Sequence, residues 1–321
     1  MIASETTMPE VDAQDLFGRL AGAIQGHLNL QTQMDESKVA EIVAAEIAKA
    51  TLPRPIEVHL PDGKTITLEG RQHKQFADVL DLIEEGASNI LLVGPAGTGK
   101  TTMAKAVAKA LDLDFGFISL SAGITETHLF GRLLPQTDGT WGYVASRFVE
   151  VYENGGVFLL DEMDAADANV MVAVNAALAN GVMSNPVNGK VHVRHPKTII
   201  IAAANTFGRG GDTMYVGRNS LDVATLDRFV LDTLHIDYDR ELEWDIVRGQ
   251  VNEDDANEIM AWVDSLRERI TENRIRRVAS MRLVERAARA VRNGKKLSAV
   301  KARFFAGWSK DELAKVGGGA L

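Results

Sequence analysis

Residues 94–101 read Gly-Pro-Ala-Gly-Thr-Gly-Lys-Thr, directly after the apolar run Ile90-Leu91-Leu92-Val93 and before a helical stretch from Thr102 to Leu111. Glycine at 94, 97 and 99 lets the backbone turn its N–H groups inward around phosphate oxygens. Lys100 supplies a cation to the β- and γ-phosphates, and the Thr101 hydroxyl is a ligand for Mg²⁺. A Gly-rich turn matches such a pattern by accident now and then. Placement between a strand and a helix is, however, the setting that phosphate binding requires. The candidate nucleotide-binding residues are therefore Gly94, Pro95, Ala96, Gly97, Thr98, Gly99, Lys100, Thr101 and Thr102, with ATP and Mg²⁺ as the expected ligands.

A loop of this kind needs partners, and the chain supplies them downstream. Residues 156–162, Gly-Val-Phe-Leu-Leu-Asp-Glu, form an apolar strand ending in two adjacent carboxylates. Asp161 joins Thr101 in the Mg²⁺ shell, and Glu162 orients and deprotonates the attacking water. A third apolar run, Thr-Ile-Ile-Ile-Ala-Ala-Ala-Asn, ends at Asn205. A polar side chain at the carboxyl end of a core strand faces the crevice where ligands bind, so Asn205 is a candidate for holding the water or the γ-phosphate. Arg228 lies on a short helical stretch; it is either a solvated helix residue or a finger for a neighbouring subunit's γ-phosphate. Arg218 is a second, weaker finger candidate. Arg282 opens a C-terminal helix and either reaches the same nucleotide or is one more charge on a basic helix face.

Between these points four buried-strand runs (NILLVG, FGFISL, GVFLLDE, TIIIAAAN) alternate with helical stretches. That pattern predicts an α/β fold, a parallel sheet sandwiched by helices. Strand signals cease after about residue 235, and residues 240–271 and 280–315 read as helices of a small all-α lid. Upstream, residues 11–50 carry helical periodicity. IEVHLPDGKTITLEG reads as a β-hairpin around Pro61-Asp62-Gly63-Lys64, and residues 75–85 as an amphipathic helix. The expected organisation is an N-terminal helical and hairpin extension over 1–70, a nucleotide-binding core over 71–235 and a helical lid over 236–321.

Composition narrows the classes. The 321 residues are 45% hydrophobic and 25% charged, an ordinary globular balance. Cysteine is absent, which excludes disulfides and thiolate metal sites. No apolar run reaches the roughly 20 residues of a membrane span, and the acidic start has no apolar leader, so a cytoplasmic location without membrane attachment is expected. The net charge of −9 argues against nucleic-acid binding over the whole surface. Yet residues 266–303 hold thirteen basic against three acidic residues.

GPAGTGKT, LLDE, the strand ending in Asn205, LDRF and SMR, in this order, resemble an AAA+ P-loop ATPase. Within that superfamily the chain is similar to the MoxR/dynein-related (midasin-like) clade, which includes the cobaltochelatase small subunit. HLFGRLLP, DGTWGYVASRFVEVYENGGVFLLDE, NPVNGKVHVRHP and AANTFGRGGDTMYVGRNSLDVATLDRF carry that closer likeness, which extends over about residues 71–290. The resemblance implies Walker A at Gly94–Thr101, Walker B at Asp161 and Glu162, sensor 1 at Asn205, the arginine finger at Arg228 and sensor 2 at Arg282. Met281 departs from the usual Ser-Pro-Arg of the lid motif. Two hairpins are implied, over residues 134–144 and 184–194, with Trp141 and Tyr143 of the first either gripping a substrate or packing on the core. Base contacts are implied near residues 71–76. Also implied is a homo-oligomeric ring, most often a hexamer, acting as a chaperone on a separate protein client, often one with a von Willebrand A-type domain. A nucleic-acid motor or restriction-type GTPase is the alternative, favoured by the basic stretch but not by any zinc, helix-turn-helix or stacking motif. A nucleotide-gated platform with slow turnover and a small-molecule kinase fit the residues less well.

Overall fold

The computed structural model describes residues 56–317, apart from 122, 209, 212–214 and 216. The helical reading of residues 11–50 lies outside the described residues.

The chain enters as the antiparallel hairpin β1 (Ile56–His59) and β2 (Thr65–Leu68). Gly63 takes a left-handed φ of 84° at its turn. Period-two alternation puts Val58 and Leu68 inward, where they are buried in the same apolar layer as the core helices. The hairpin thus packs on the core. Helix α1 (Phe76–Glu84) follows, then strand β3 (Asn89–Val93) and helix α2 (Lys100–Ala110). Strand β4 (Phe115–Ser119), the short helix α3 (Glu126–Phe130), strands β5 (Arg132–Pro135) and β6 (Trp141–Val144) and helix α4 (Arg147–Asn154) come next. Strand β7 (Gly156–Asp161) runs through a 3-10 turn into α5 (Ala168–Asn180). After strands β8 (Val182–Ser184) and β9 (Val191–Val193), β10 (Thr198–Ala204), α6 (Val223–Asp227) and β11 (Thr233–His235) complete the α/β part.

Five strands form one parallel sheet in the order β11-β3-β10-β7-β4. Each of the central strands is buried on both faces, which is why they read as continuous apolar runs. Leu91, Val93, Phe158, Leu160, Ile200 and Ala202 pack into one layer with α4 and α5. Their neighbours Ile90, Leu92, Val157, Leu159, Ile199 and Ile201 pack into the other with α1 and α2. The fifth strand, β11, is only three residues long and half-exposed, too short to show in the apolar pattern.

The register brings the functional ends together. Ala204 pairs with Val93 and Ser119 with Asp161, so β3, β10, β7 and β4 all deliver their carboxyl ends to one crevice.

The two hairpins begin and end near their expected places. β5 and β6 span residues 132–144 with Gly139 at the turn; β8 and β9 span 182–193 with Gly189 at the turn. Among the described residues the lid has five helices: α7 (Arg240–Arg248), α8 (Glu253–Glu272), α9 (Met281–Arg292), α10 (Leu297–Phe305) and α11 (Lys310–Lys315). The expected helices over 240–271 and 280–315 are therefore interrupted. Asn252 caps α8 by accepting from the Asp255 N–H, Gly294 turns left-handed after α9, and Ser309 and Glu312 form a capping box on α11. Among the described residues no helix is long and apolar enough to cross a membrane.

Candidate functional site

The loop after β3 is built by left-handed glycines: Gly97 has φ 78° and Gly99 φ 95°. Gly94 is required by a close approach instead. A Cβ there would sit 2.0 Å from the Ile236 carbonyl oxygen. The N–H groups of Gly97, Thr98 and Gly99 make no hydrogen bond among the described residues, and they open onto the N-terminus of α2, where the helix dipole favours an anion. Thr98 is fully buried, its hydroxyl donating to the Pro95 carbonyl oxygen at 3.2 Å. Thr102 is exposed, its role limited to the first turn of the helix.

Lys100 is 7% exposed and donates to the carbonyl oxygens of Gly94 at 2.7 Å and Pro95 at 2.9 Å, and to Asn205 Oδ1 at 3.2 Å. The sensor candidate just after β10 and the loop lysine are thus in direct contact. Burial lowers the Lys100 pKa to about 8; the charges of Asp161 and Asp164 offset this in part, and those of Arg282 and Arg218 add to it. An anionic triphosphate binds the charged form, so occupancy raises this pKa. Nucleotide affinity is therefore expected to be flat below pH 7 and to weaken as pH rises through about 8, by up to about tenfold per unit. Titration of affinity with a fluorescent nucleotide between pH 6.5 and 9.5 checks this; a flat profile would remove Lys100 from phosphate binding.

Thr101 Oγ1 donates to Asp161 Oδ2 at 2.9 Å, so the two candidate Mg²⁺ ligands already converge. The Asp161 carboxylate also accepts the Glu162 N–H at 3.0 Å. A magnesium ion takes few protein ligands and completes its shell with phosphate and water, and a hydroxyl beside one carboxylate fits that demand. Glu162 itself is in the left-handed region at φ 55°, which few residues other than glycine adopt. Its carboxylate accepts from Ser119 Oγ at 3.1 Å and from Arg218 at 3.1 Å. Burial works to raise its pKa, but those two hydrogen bonds, with the positive charge of Arg218 and Arg282, outweigh it and hold the carboxyl below its ordinary value. It is ionised, as a base must be.

Arg218 is engaged within its own chain and does not reach outward as a finger. Besides Glu162 it lies 3.3 Å from Asp164 Oδ1. Arg228 is elsewhere: it caps the end of α6, donating to the carbonyl oxygens of Asn175 and Ala224, and among the described residues it makes no hydrogen bond or ion pair with the 94–102 loop. Arg282 is exposed on the first turn of α9. Its neighbour Ser280 presses on the loop, so that a Cβ on Gly97 would lie 2.5 Å from the Ser280 Cβ. The Ser-Met-Arg segment is set over the phosphate loop despite the missing proline.

Four residues that sequence reading did not single out complete the site. Asp164 is fully buried, and its Oδ2 accepts from the Asn205 and Thr206 N–H groups at 3.1 and 2.9 Å and from the Thr206 hydroxyl at 2.9 Å. It ties the end of β10 to the strand carrying Asp161. The Tyr215 hydroxyl accepts the Ala96 N–H at 2.9 Å, and the Tyr238 hydroxyl donates to the Ala96 carbonyl oxygen at 3.1 Å. Arg267 stacks 4.1 Å from the Tyr238 ring, pairs bidentately with fully buried Glu243 at 2.6 and 2.7 Å, and donates to the Ala279 carbonyl oxygen at 2.7 Å. In the sequence it was one cation among thirteen. Only Asp164, three residues beyond Asp161 in an otherwise small-residue turn, offered a local signal.

Of residues 71–76, expected near the base, Arg71, His73 and Lys74 are stitched to the junction between core and lid. Arg71 pairs with Glu241 and Asp245, the Lys74 N–H donates to Asp239 at 2.6 Å, and His73 Nε2 lies 2.9 Å from the Asp237 carbonyl oxygen. Of the hairpin aromatics, Trp141 is 68% exposed. Tyr143 is packed, donating to the Phe130 carbonyl oxygen and accepting from Asn185 at 2.9 Å.

Residues 89–229 match the family of AAA domains of the dynein-related subfamily. This segment is an AAA domain of that subfamily. Midasin of Dictyostelium discoideum is 33% identical over 144 residues, 44% of this chain and 2% of midasin. An uncharacterised Staphylococcus aureus protein is 26% identical over 170 residues, 51% of this chain and 60% of its own length. The chain thus spans less than two thirds of either relative. Among solved structures, Brucella abortus NtrX in complex with ADP is similar with a TM-score of 0.47 and 14% identity, over 82% of this chain and 57% of that one. A mutant of Thermotoga maritima RuvB is similar with a TM-score of 0.45 and 16% identity, over 76% of this chain and 67% of that one. The AAA family is one of nucleotide-binding ATPases, and the loop, the two carboxylates and Asn205 all fall inside the matched segment.

Proposed function

We propose that this chain binds ATP with Mg²⁺ and hydrolyses it as a subunit of a ring, and that the ring remodels a protein partner in the manner of MoxR-like chaperones. Glu162 takes the proton of the attacking water, Lys100 and Asn205 hold the phosphate end, and Arg282 reaches it from the lid. Thr101 and Asp161 would hold Mg²⁺, which would neutralise phosphate charge.

The observation that carries the ring is the position of Arg228. It stands apart from its own nucleotide loop, on a surface where Val223, Val230 and Leu231 are 79%, 70% and 85% exposed. A cation among exposed apolar side chains suits a second copy, whose nucleotide it would reach. Nucleotide is then bound between subunits, and closure of core against lid passes around the ring. Exposed Trp141, with Leu133, Leu134 and Val144 on the same hairpin, offers apolar grip to a protein client, a von Willebrand A-type partner among them.

Arg228→Ala is expected to bind ATP normally and to lose turnover about 10³-fold. Mixed with Lys100→Ala subunits, which keep the arginine but not the nucleotide, it is expected to recover part of the activity. Phosphate release from the mixture is the measurement. A mixture as inactive as its parents would remove the finger in trans, and with it the ring.

A further inference from the structure

The thirteen cations of residues 266–303 are not equivalent once the lid has folded. Arg267 is engaged with Glu243, Arg269 donates to the Val316 carbonyl oxygen, Arg277 pairs with Glu312, and Lys301 lies 5.9 Å over the Trp262 ring. Another group gathers in one place. An open groove of about 640 Å³ runs along α9, the linker after it and α10, lined by Arg282, Arg286, Arg289, Lys295 and Arg303.

Arg282, Arg286 and Arg289 recur at helical spacing, so they form one stripe along α9. From Arg282 to Asn293 at the far end the stripe is about 16 Å long. The single acidic residue in the groove, Glu285, is already paired with Arg289 at 2.6 Å. Arg282, Arg286, Lys295 and Arg303 are exposed and have no ion pair among the described residues. Four uncompensated cations at close quarters on a chain of net charge −9 repel one another and call for a polyanion.

Two polyanions could satisfy them, an acidic polypeptide or a nucleic-acid backbone. The lining decides between them. Protein partners gain their affinity from buried apolar and aromatic anchors, and the only apolar residue here is Ala290. A phosphate backbone needs no such anchor. Four of the five cations are arginine, whose planar fork matches phosphate oxygens two at a time. The lining has no aromatic residue for bases to stack on, so it has no means of selecting sequence. We propose that this lid groove binds the sugar-phosphate backbone of a nucleic acid, without base selection.

The groove and the nucleotide crevice share Arg282. Ser280, two residues before it, rests on Gly97 of the phosphate loop, and the Arg282 side chain lines the groove. A strand that draws Arg282 outward takes a cation away from the triphosphate, so ATP and the strand weaken each other by one common factor. This coupling rests on the nucleotide reading above; the groove itself does not.

The test is fluorescence anisotropy of labelled 20-mers, single-stranded and duplex, DNA and RNA, with the full chain and no ATP, between 50 and 200 mM salt. With three to four phosphates neutralised, the log–log salt slope is expected to be about −2 to −3 for single strands and about −3 to −4 for duplex, with little dependence on sequence. The double charge reversal R286E/R303E is expected to weaken binding at least tenfold and flatten the slope, while ATP turnover without nucleic acid stays within twofold. Turnover is read separately, so failure of the groove and failure of the ATPase are distinguishable, and retained turnover shows that the variant is folded. Binding unchanged in the variant would place the strand elsewhere and overturn the proposal. No binding by the native chain at 50 mM salt would do the same. Displacement of the oligonucleotide by a polyglutamate peptide at lower concentration would assign the groove to an acidic protein instead.

Discussion

Glu162→Gln lowers ATP turnover by about 10²–10⁴-fold, the contribution of a positioned general base, and leaves nucleotide affinity nearly unchanged. The substitution keeps the shape of a side chain that β7 delivers in a left-handed conformation; the amide oxygen still accepts from Arg218, and the amide NH2, in place of the other carboxylate oxygen, donates to the Ser119 hydroxyl. What it removes is the capacity to take a proton. None of the groups around the phosphates (Lys100, Thr101, Asn205) depends on Glu162 for its position. Phosphate release and equilibrium binding of labelled ATP separate the two effects. Turnover reduced less than tenfold would assign the base to another group. If turnover falls as expected, the variant traps ATP, and its mass with Mg²⁺ present reports how many subunits the nucleotide holds together.

Lys100→Ala lowers nucleotide affinity by about 100-fold or more, equivalent to about 3 kcal/mol. Two losses combine. The triphosphate loses its nearest cation, and the loop loses the three bonds from Nζ to Gly94, Pro95 and Asn205 that hold it open before ligand arrives. The fold, by contrast, is expected to tolerate the change. Burial has lowered the lysine's pKa to about 8, so the folded state disfavours this charge, and its removal returns part of that cost. A melting temperature within about 5 °C of the parent is expected. Calorimetric titration with ATP and a thermal scan on the same sample check both halves. Normal affinity would remove the loop assignment, and a collapsed melting temperature would attribute the loss of binding to unfolding.

Much of this was legible in advance because the signals are local and strong. A buried parallel strand announces itself as an apolar run, and the loop that follows β3 has a composition few other structures need. The hairpins over residues 134–144 and 184–194 were implied by the family resemblance, and Gly139 and Gly189 take left-handed φ values at their turns. What escaped notice has physical reasons too. β11 is three residues at a sheet edge and carries too little apolar area to stand out. The lid breaks that were missed fall at Gly249, Gly294 and Gly307, each beside capping residues, but residues 240–271 and 280–315 each read as an uninterrupted helix. Asp164, Tyr215, Tyr238 and Arg267 act through partners 12 to 142 positions away along the chain, and no spacing rule reaches across such distances. The basic segment shows the limit best: its thirteen charges are alike in sequence, and only the fold sorts those that stay inside from those that face the groove.

The contact between Ser280 and Gly97 acts as a fulcrum. A loop residue without a side chain lets the lid rest directly on the backbone, at the very start of α9, and Arg267 keeps that end from slipping by gripping the Ala279 carbonyl oxygen. Everything beyond it is a lever arm about 18 Å long. A tilt of about 10° about this point displaces the far end of the helix by about 3 Å yet moves the resting point hardly at all. Small rearrangements around a phosphate thus become large displacements of Asn293 and Lys295, and a load on that remote end is felt, reduced in travel and increased in force, at Gly97.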